Sequence, residues 1–557
     1  MLLKYDHYYT YPELTQAMHD LAAAYPELAK LEAIGTSPEG RSLWLMEITD
    51  RACGEACSKP AYYIDGNHHA GEVTGSMVAL YAIDELLTRS EEPEFKQLLQ
   101  QITFYILPRI SVDGSEVYLT TPASMRSAPR PYPFVEKMPG LTAEDIDGDG
   151  HILLMRVPSP IGAWKADPND PRLMLKRLPD DQGGTYYSIY QEGMIHEYDG
   201  HHIQQARALW GMDFNRNYPL EWGIESRQPG AGKYPLSEPE TRAVAEFVLA
   251  HPNIGGVATL HTTGGVILRT PGTKPEKQSN PFDVTILKAI GLMASEETGY
   301  PSVNIYDEFL ADSVNFSSGA FDDWCYASQG IPAYTVELWD LGLRAGLHMW
   351  PRKDKDDAES AEDYAKLLSW VDAELNGEGF IGWKPFNHPQ LGPVEIGGFE
   401  GKFVVQNAPP QFLEQECIKN VRFFYRHART LPRLSIEQPT VEKMDEGTWR
   451  ISADVVNLSY LPTQLTAMAN EIKVAKPITV SLCGADVIDG LAKREIPHLD
   501  GFSAVRNNFQ TGGYRPSGVP KQKIHLTWIV QAVAGSEICI SIQSQKAGNP
   551  SLKVVLA

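Results

Sequence analysis

Residues 61–65 read Ala-Tyr-Tyr-Ile-Asp, and residues 256–260 read Gly-Val-Ala-Thr-Leu. Runs this short and this apolar are typical of buried strands in a sheet covered on both faces. Further strands are expected at Ser42–Ile48, Thr103–Leu107 and Ala333–Leu338. Helical periodicity separates them, at Pro12–Tyr25, Met77–Leu87, Glu238–Leu249, Val284–Thr298 and Ala358–Leu375. Alternation of this kind predicts an α/β unit with helices on the faces of the sheet. The expected unit spans residues 1–378. Within it, from Gly114 to Ala208, periodicity dissolves into a stretch rich in Pro, Gly, Asp and Tyr. That stretch reads as an insertion, at about 115–210.

Past residue 430 the pattern changes. Alternating segments at Thr448–Val456, Ile478–Leu482, Lys523–Ile529 and Ile538–Ile542 are separated by Gly, Pro and Asn. They predict a small all-β sandwich over 431–557, joined to the first unit by a connecting segment at 379–430. A length of 557 residues agrees with more than one core.

Bulk composition narrows the function. The formal net charge is −22, which argues against nucleic acid as a partner, because phosphate binding needs a basic face. No apolar run is long enough to span a bilayer, so no membrane partner is expected. The first residues, Met1-Leu2-Leu3-Lys4-Tyr5-Asp6, carry no apolar leader, and the expected location is cytoplasmic. The six cysteines are sparse and irregularly spaced, unlike a disulfide framework.

Chemistry concentrates at Gly66-Asn67-His68-His69-Ala70-Gly71-Glu72, between an expected strand end and a helix start. Ends of strands in open α/β sheets are where sites gather. His69 and Glu72, three residues apart, can reach one ion from a single turn. A hydrolytic zinc site takes three protein ligands and leaves one position for water. His261, ending the second apolar run, is the expected third ligand. The set His₂Glu suits zinc; His68 lacks the matching spacing and reads as structural. Gly211-Met212-Asp213-Phe214-Asn215-Arg216-Asn217 sets an amide beside a guanidinium, a pairing suited to a carboxylate. In Tyr334-Thr335-Val336-Glu337-Leu338 a single carboxylate stands among apolar strand residues, a costly placement unless it serves chemistry.

Taken in order, His69-x-x-Glu72, Asp113-Gly114, Gly211-x-Asp213-x-Asn215-Arg216-Asn217, His261, Asp323-Trp324 and Glu337 resemble the funnelin family of zinc carboxypeptidases, over roughly residues 8–375. The resemblance implies a mixed twisted sheet with helices on both faces and one Zn²⁺ held by His69, Glu72 and His261. It implies Glu337 as general base, Arg126 as oxyanion stabiliser with Arg130 as the alternative, and Asn215 and Arg216 as the grip on a peptide's terminal carboxylate. Asp213 corresponds to the acceptor that orients His69. Asp322 falls where the family reads the terminal side chain, and an acid there implies a preference for Lys or Arg.

Two positions depart from the pattern. Gly71 stands where the family has an arginine in a peptide subsite. Asn315 stands where it has a mobile tyrosine, with Tyr306 as an alternative. These departures leave open an amidohydrolase, deacylase or cell-wall peptide hydrolase on the same scaffold. A non-catalytic binding protein is a further reading, disfavoured because Glu337 and all three ligands are present. Separately, Asp145-Ile146-Asp147-Gly148-Asp149-Gly150 matches the first half of an EF-hand loop, so Asp145, Asp147 and Asp149 are candidate Ca²⁺ ligands. Position 12 of that loop is Arg156 instead of glutamate, which leaves the loop incomplete.

Overall fold

The computed structural model describes residues 3–310, 316–348, 350, 357–505 and 520–557. Its centre is an eight-stranded sheet. The strands are β1 (Ala29–Thr36), β2 (Ser42–Ile48), β3 (Ala61–Gly66), β4 (Thr103–Leu107), β5 (Ile254–Thr262), β6 (Val266–Arg269), β7 (Ser302–Asn304) and β8 (Ala333–Leu338). They lie in the order β1-β2-β4-β3-β5-β8-β6-β7. Strands β4, β3, β5 and β8 run parallel, β1 and β2 pair antiparallel to their neighbours, and β6 pairs antiparallel to β8 and parallel to β7. The sheet is mixed, as the resemblance implied.

Successive residues of a strand point to opposite faces, and β3 shows what covers each. Tyr62 packs against Phe104 and His427, while Tyr63 packs against Phe247 and Phe321. The first face is covered by helices Val73–Thr88 and Pro410–Ala428, the second by Pro239–Ala250 and Phe321–Gln329. Fully buried strands such as β3 and β5 therefore need no polar outer face.

The stretch 379–430, expected to connect two units, is folded into the first one. Helix Pro410–Ala428 packs on Val73–Thr88 and Pro281–Thr298, and its Leu413, Cys417, Val421 and Phe424 enter the main core. Those residues recur every three or four positions, so the helical signal is present in the sequence. The expected loss of regular structure between Gly114 and Ala208 is also corrected. After the helix Val112–Thr120, short strands form at 140–143, 154–158, 164–166, 174–176, 187–191 and 193–196. Four of them join hairpin Phe380–His388/Gly392–Phe399 in a six-stranded sheet. They are three to five residues long and mostly half-exposed, so they lack a strong apolar alternation.

Beyond residue 430 two four-stranded antiparallel sheets enclose a separate core that includes Trp449, Ile451, Trp528 and Ile540. This is the expected sandwich. It docks at the N-terminal end of β5, where buried Lys546 donates to the Ile254 carbonyl at 2.6 Å. Thr466 caps the chain at Gly330 O, and Asp283 accepts from the amides of Ala467 and Met468. All six cysteines are free thiols.

His427 makes this packing pH-dependent. It is fully buried, its Nδ1 2.9 Å from the Tyr62 hydroxyl, and its Nε2 has no hydrogen-bond partner among the described residues. Burial pushes its pKa down to about 3, against roughly 6.5 in an unfolded chain. Between those values the unfolded state binds the proton and the native state does not, so stability falls as pH falls. Urea unfolding at pH 7 and pH 5 should show the stability gap between the parent and His427→Gln narrowing by about 2 kcal/mol at the lower pH.

Candidate active site

Three parallel strands end side by side at the site. β5 is in register with β3 through Leu260 and Gly66, and with β8 through His261 and Glu337. His261 and Glu337 are thus lateral neighbours, and the loop after β3 returns over the same edge with His69 and Glu72. Asn67, at φ 63°, turns the chain there. Its amide donates to the His69 carbonyl at 2.7 Å, and its Oδ1 accepts from Ser76.

The expected ligands converge. Nδ1 of His69 lies 2.8 Å from Glu72 Oε1 and 3.1 Å from His261 Nδ1, which is 2.9 Å from Glu72 Oε2. All three side chains are buried. Two imidazole lone pairs and a carboxylate meeting at one point form the donor set that a small divalent cation takes, with N and O ligands suited to zinc. The next shell agrees: Nε2 of His69 is 3.1 Å from Asp213 Oδ1, which fixes the ring with Nδ1 turned inward. Asn215 Nδ2 is 3.4 Å from His261 Nε2. Burial disfavours both carboxylates, yet His69 and His261 hold Glu72 well below the usual range, and Arg126 and His69 do the same for Asp213.

Arg126 and Arg130, alternatives in the sequence, separate here. Arg126 donates from Nε to Asp213 at 2.9 Å and from Nη1 to Glu72 at 3.4 Å, with its side chain 43% exposed beside the ligands. Arg130 is drawn away to Glu238 and Glu240. Glu337 is half-buried, and burial pushes its carboxyl up to about 7; His261 and Arg126 oppose that rise, and Glu72 and Asp322 add to it.

Arg216 donates to Asn215 O at 2.6 Å and to Ser317 Oγ at 3.2 Å, and pairs with no carboxylate among the described residues. Asn215 is more committed than its expected role needs, since its Oδ1 accepts from Phe321 N at 2.8 Å. Asp322 is buried on helix Phe321–Gln329 and accepts from Thr335 Oγ1 at 2.7 Å. Thr335 shares a strand face with Glu337. No cationic side chain among the described residues pairs with Asp322. Asn315 lies outside the described residues. Tyr306 sits in a short π-helical turn, Ile305–Phe309. His68 is structural, with Nε2 3.0 Å from Tyr218 and Nδ1 3.2 Å from Thr259. Asp145, Asp147 and Asp149 lie within 4.8 Å of one another, away from this centre. They bond backbone amides of their own loop, and nothing beyond this geometry supports calcium there.

Sequence reasoning missed Ser127, whose hydroxyl joins His68 O to Phe214 N, and Gln406 and Asn407, which stand against the ligand loop from far along the chain.

Comparison with known proteins adds the decisive observation: the zinc carboxypeptidase family model matches residues 14–134 and 186–358, more than half of the chain. The chain belongs to the zinc carboxypeptidase family. The enzyme class expected from the sequence, a peptide-hydrolysing metallocarboxypeptidase, is the class of this family. Carboxypeptidase O of Bos taurus is 23% identical over 61% of this chain and 72% of that protein. Carboxypeptidase A6 of Mus musculus is 32% identical, over 61% of each. Among solved structures, carboxypeptidase A from Helicoverpa armigera is 17% identical with a TM-score of 0.42, covering 76% of this chain and 75% of that one. Residues 433–555 match a separate family described as a domain of unknown function, DUF8731. No helix among the described residues is long and apolar enough to cross a membrane.

The Asp213–His69 contact yields a measurable expectation. Asp213→Asn should weaken zinc affinity about 10- to 100-fold in chelator competition, because the ring loses its charged orienting partner. Unchanged affinity would remove Asp213 from the metal centre.

Proposed function

We propose that this protein is a zinc carboxypeptidase that hydrolyses the last peptide bond of peptides and favours C-terminal Lys or Arg. The observation that carries the reading is the meeting of His69, Glu72 and His261 beside Glu337. A zinc ion held by those three side chains would supply Lewis acidity toward the scissile carbonyl and acidify a water. The remaining work falls to the chain's own groups.

Glu337, facing His261 across the strand pair, accepts the proton of the attacking water and returns it to the leaving amine. Burial raises this carboxyl from its ordinary value, the direction that favours taking up a proton. Arg126 places a guanidinium beside the ligands, where negative charge develops on the carbonyl oxygen. Arg216, free of any carboxylate among the described residues, receives the terminal carboxylate of the substrate, with Asn215 alongside. Asp322 supports the side-chain preference, because a buried carboxylate without a cationic partner gains most from a substrate ammonium or guanidinium.

Two variants test this. Zinc-loaded Glu337→Gln should bind blocked dipeptides normally while kcat falls about 10²- to 10⁴-fold; retained turnover would refute the base. Asp322→Asn should lower kcat/KM for a C-terminal Lys relative to Leu by about 10- to 100-fold, and an unchanged ratio would assign the preference elsewhere. Cleavage of N-acyl amino acids with no cleavage of dipeptides would turn the reading toward a deacylase.

A further inference from the structure

Gly71 stands between the ligands His69 and Glu72, and its surroundings explain why it has no side chain. A Cβ placed on it would lie 2.8 Å from Tyr118 Cε2 and 3.0 Å from both Nε2 and Oε1 of Gln406. The amide of Gln406 therefore lies directly against the backbone of the ligand loop. It arrives from the π-helical turn Gly401–Gln406, beyond the last residue that the zinc carboxypeptidase model matches.

That turn is firmly anchored. Lys402 Nζ donates to the carbonyls of Tyr118, Thr121 and Ala123 at 2.7, 2.7 and 2.9 Å. Asn407, next to Gln406, donates to Gly71 O at 2.7 Å and accepts from Thr74 N and Oγ1, each at 3.0 Å. A segment held at both ends in this way presents Gln406 in one position.

Its orientation is also fixed. The Tyr118 hydroxyl is within reach of Lys402 O and of Gln406 Oε1, at 3.2 and 3.1 Å. Lys402 O already accepts two hydrogen bonds from Asn407, at 3.1 and 2.9 Å. The hydroxyl hydrogen is thus best used by Gln406 Oε1, which leaves Nε2 as the free end. Nε2 has no acceptor among the described residues, and Gln406 is half-buried. On the same loop, Ala70 N donates to Arg126 O at 2.7 Å, and the Arg126 side chain is partly exposed. The ligand loop is therefore flanked by two partly exposed residues that carry side-chain donors, Arg126 and Gln406.

We propose that Gln406 is a substrate-positioning residue: its Nε2 donates a hydrogen bond to a backbone carbonyl on the N-terminal side of the scissile bond, in substrates long enough to reach it. This rests on the peptidase reading above and adds a substrate class, peptides of three residues or more. A donor supplied from outside the matched family region makes the requirement particular to this chain.

The experiment compares a dipeptide with a tripeptide of the same last two residues, both with free N-termini, on the zinc-loaded full chain. In Gln406→Met, which keeps the length but loses the donor, the ratio of kcat/KM for the longer to the shorter substrate should fall about five- to tenfold. The loss should lie in KM, with zinc content and melting temperature preserved. Gln406→Glu, which keeps the acceptor for Tyr118, should show the same fall. An unchanged ratio in both variants would overturn the assignment. If the parent enzyme cleaves neither peptide, the proposed reaction fails independently. The Gln406 assignment is then read from calorimetric affinities of the two peptides for the zinc-loaded protein, where the same ratio must fall.

Discussion

The parallel register of β3, β5 and β8 is the constraint on which the site depends. Pairing of β5 with β8 sets His261 opposite Glu337, and pairing of β5 with β3 sets Leu260 opposite Gly66, from which the ligand loop departs. A slip of one residue in either pair would turn a functional side chain to the other face of the sheet. Burial on both faces makes such a slip costly, because polar groups would be pushed among the apolar helices. Placement of His261 and Glu337 is thus a consequence of sheet packing, whereas His69 and Glu72 are held in addition by contacts of the loop itself, at Asn67, His68 and Gly71.

Charge is balanced around that geometry with few redundant groups. Two buried carboxylates, Glu72 and Asp213, are held ionised by His69, His261 and Arg126. The same Arg126 reaches both carboxylates, tying the ligand shell to its support. Glu337 lies just outside this network, with no ion pair among the described residues, and burial raises its carboxyl. Carboxylates close to one strand edge are thus pushed in opposite directions by their surroundings, Glu72 down and Glu337 up.

The C-terminal third of the chain contributes more than bulk. Helix Pro410–Ala428 completes the packing of the first sheet face, the hairpin 380–399 completes the sheet of the insertion, and the turn between them braces the ligand loop. Glu416 on that helix accepts from Tyr300, whose hydroxyl oxygen accepts from Trp339 N at 2.9 Å, two residues past Glu337. The sandwich, by contrast, docks at the opposite end of β5 from His261.

The amino-acid sequence determined the central strands, the candidate trio His69, Glu72 and His261, the placement of Glu337 and the sandwich, because each leaves a local mark: an apolar run of strand length, a three-residue spacing, a lone carboxylate among apolar residues, or alternation between turns. Strands Ser42–Ile48, Thr103–Leu107 and Ala333–Leu338 keep the boundaries expected of them. What only the tertiary structure decided were relations between distant segments. The choice of Arg126 over Arg130 follows from where Asp213 and Glu240 lie in space. The short strands of 140–196 carry too little apolar alternation to be read alone, and become strands by pairing with one another, with 154–158 joined to 392–399. The Gln406 amide lies against Gly71, a meeting of residues 335 positions apart that no local pattern encodes.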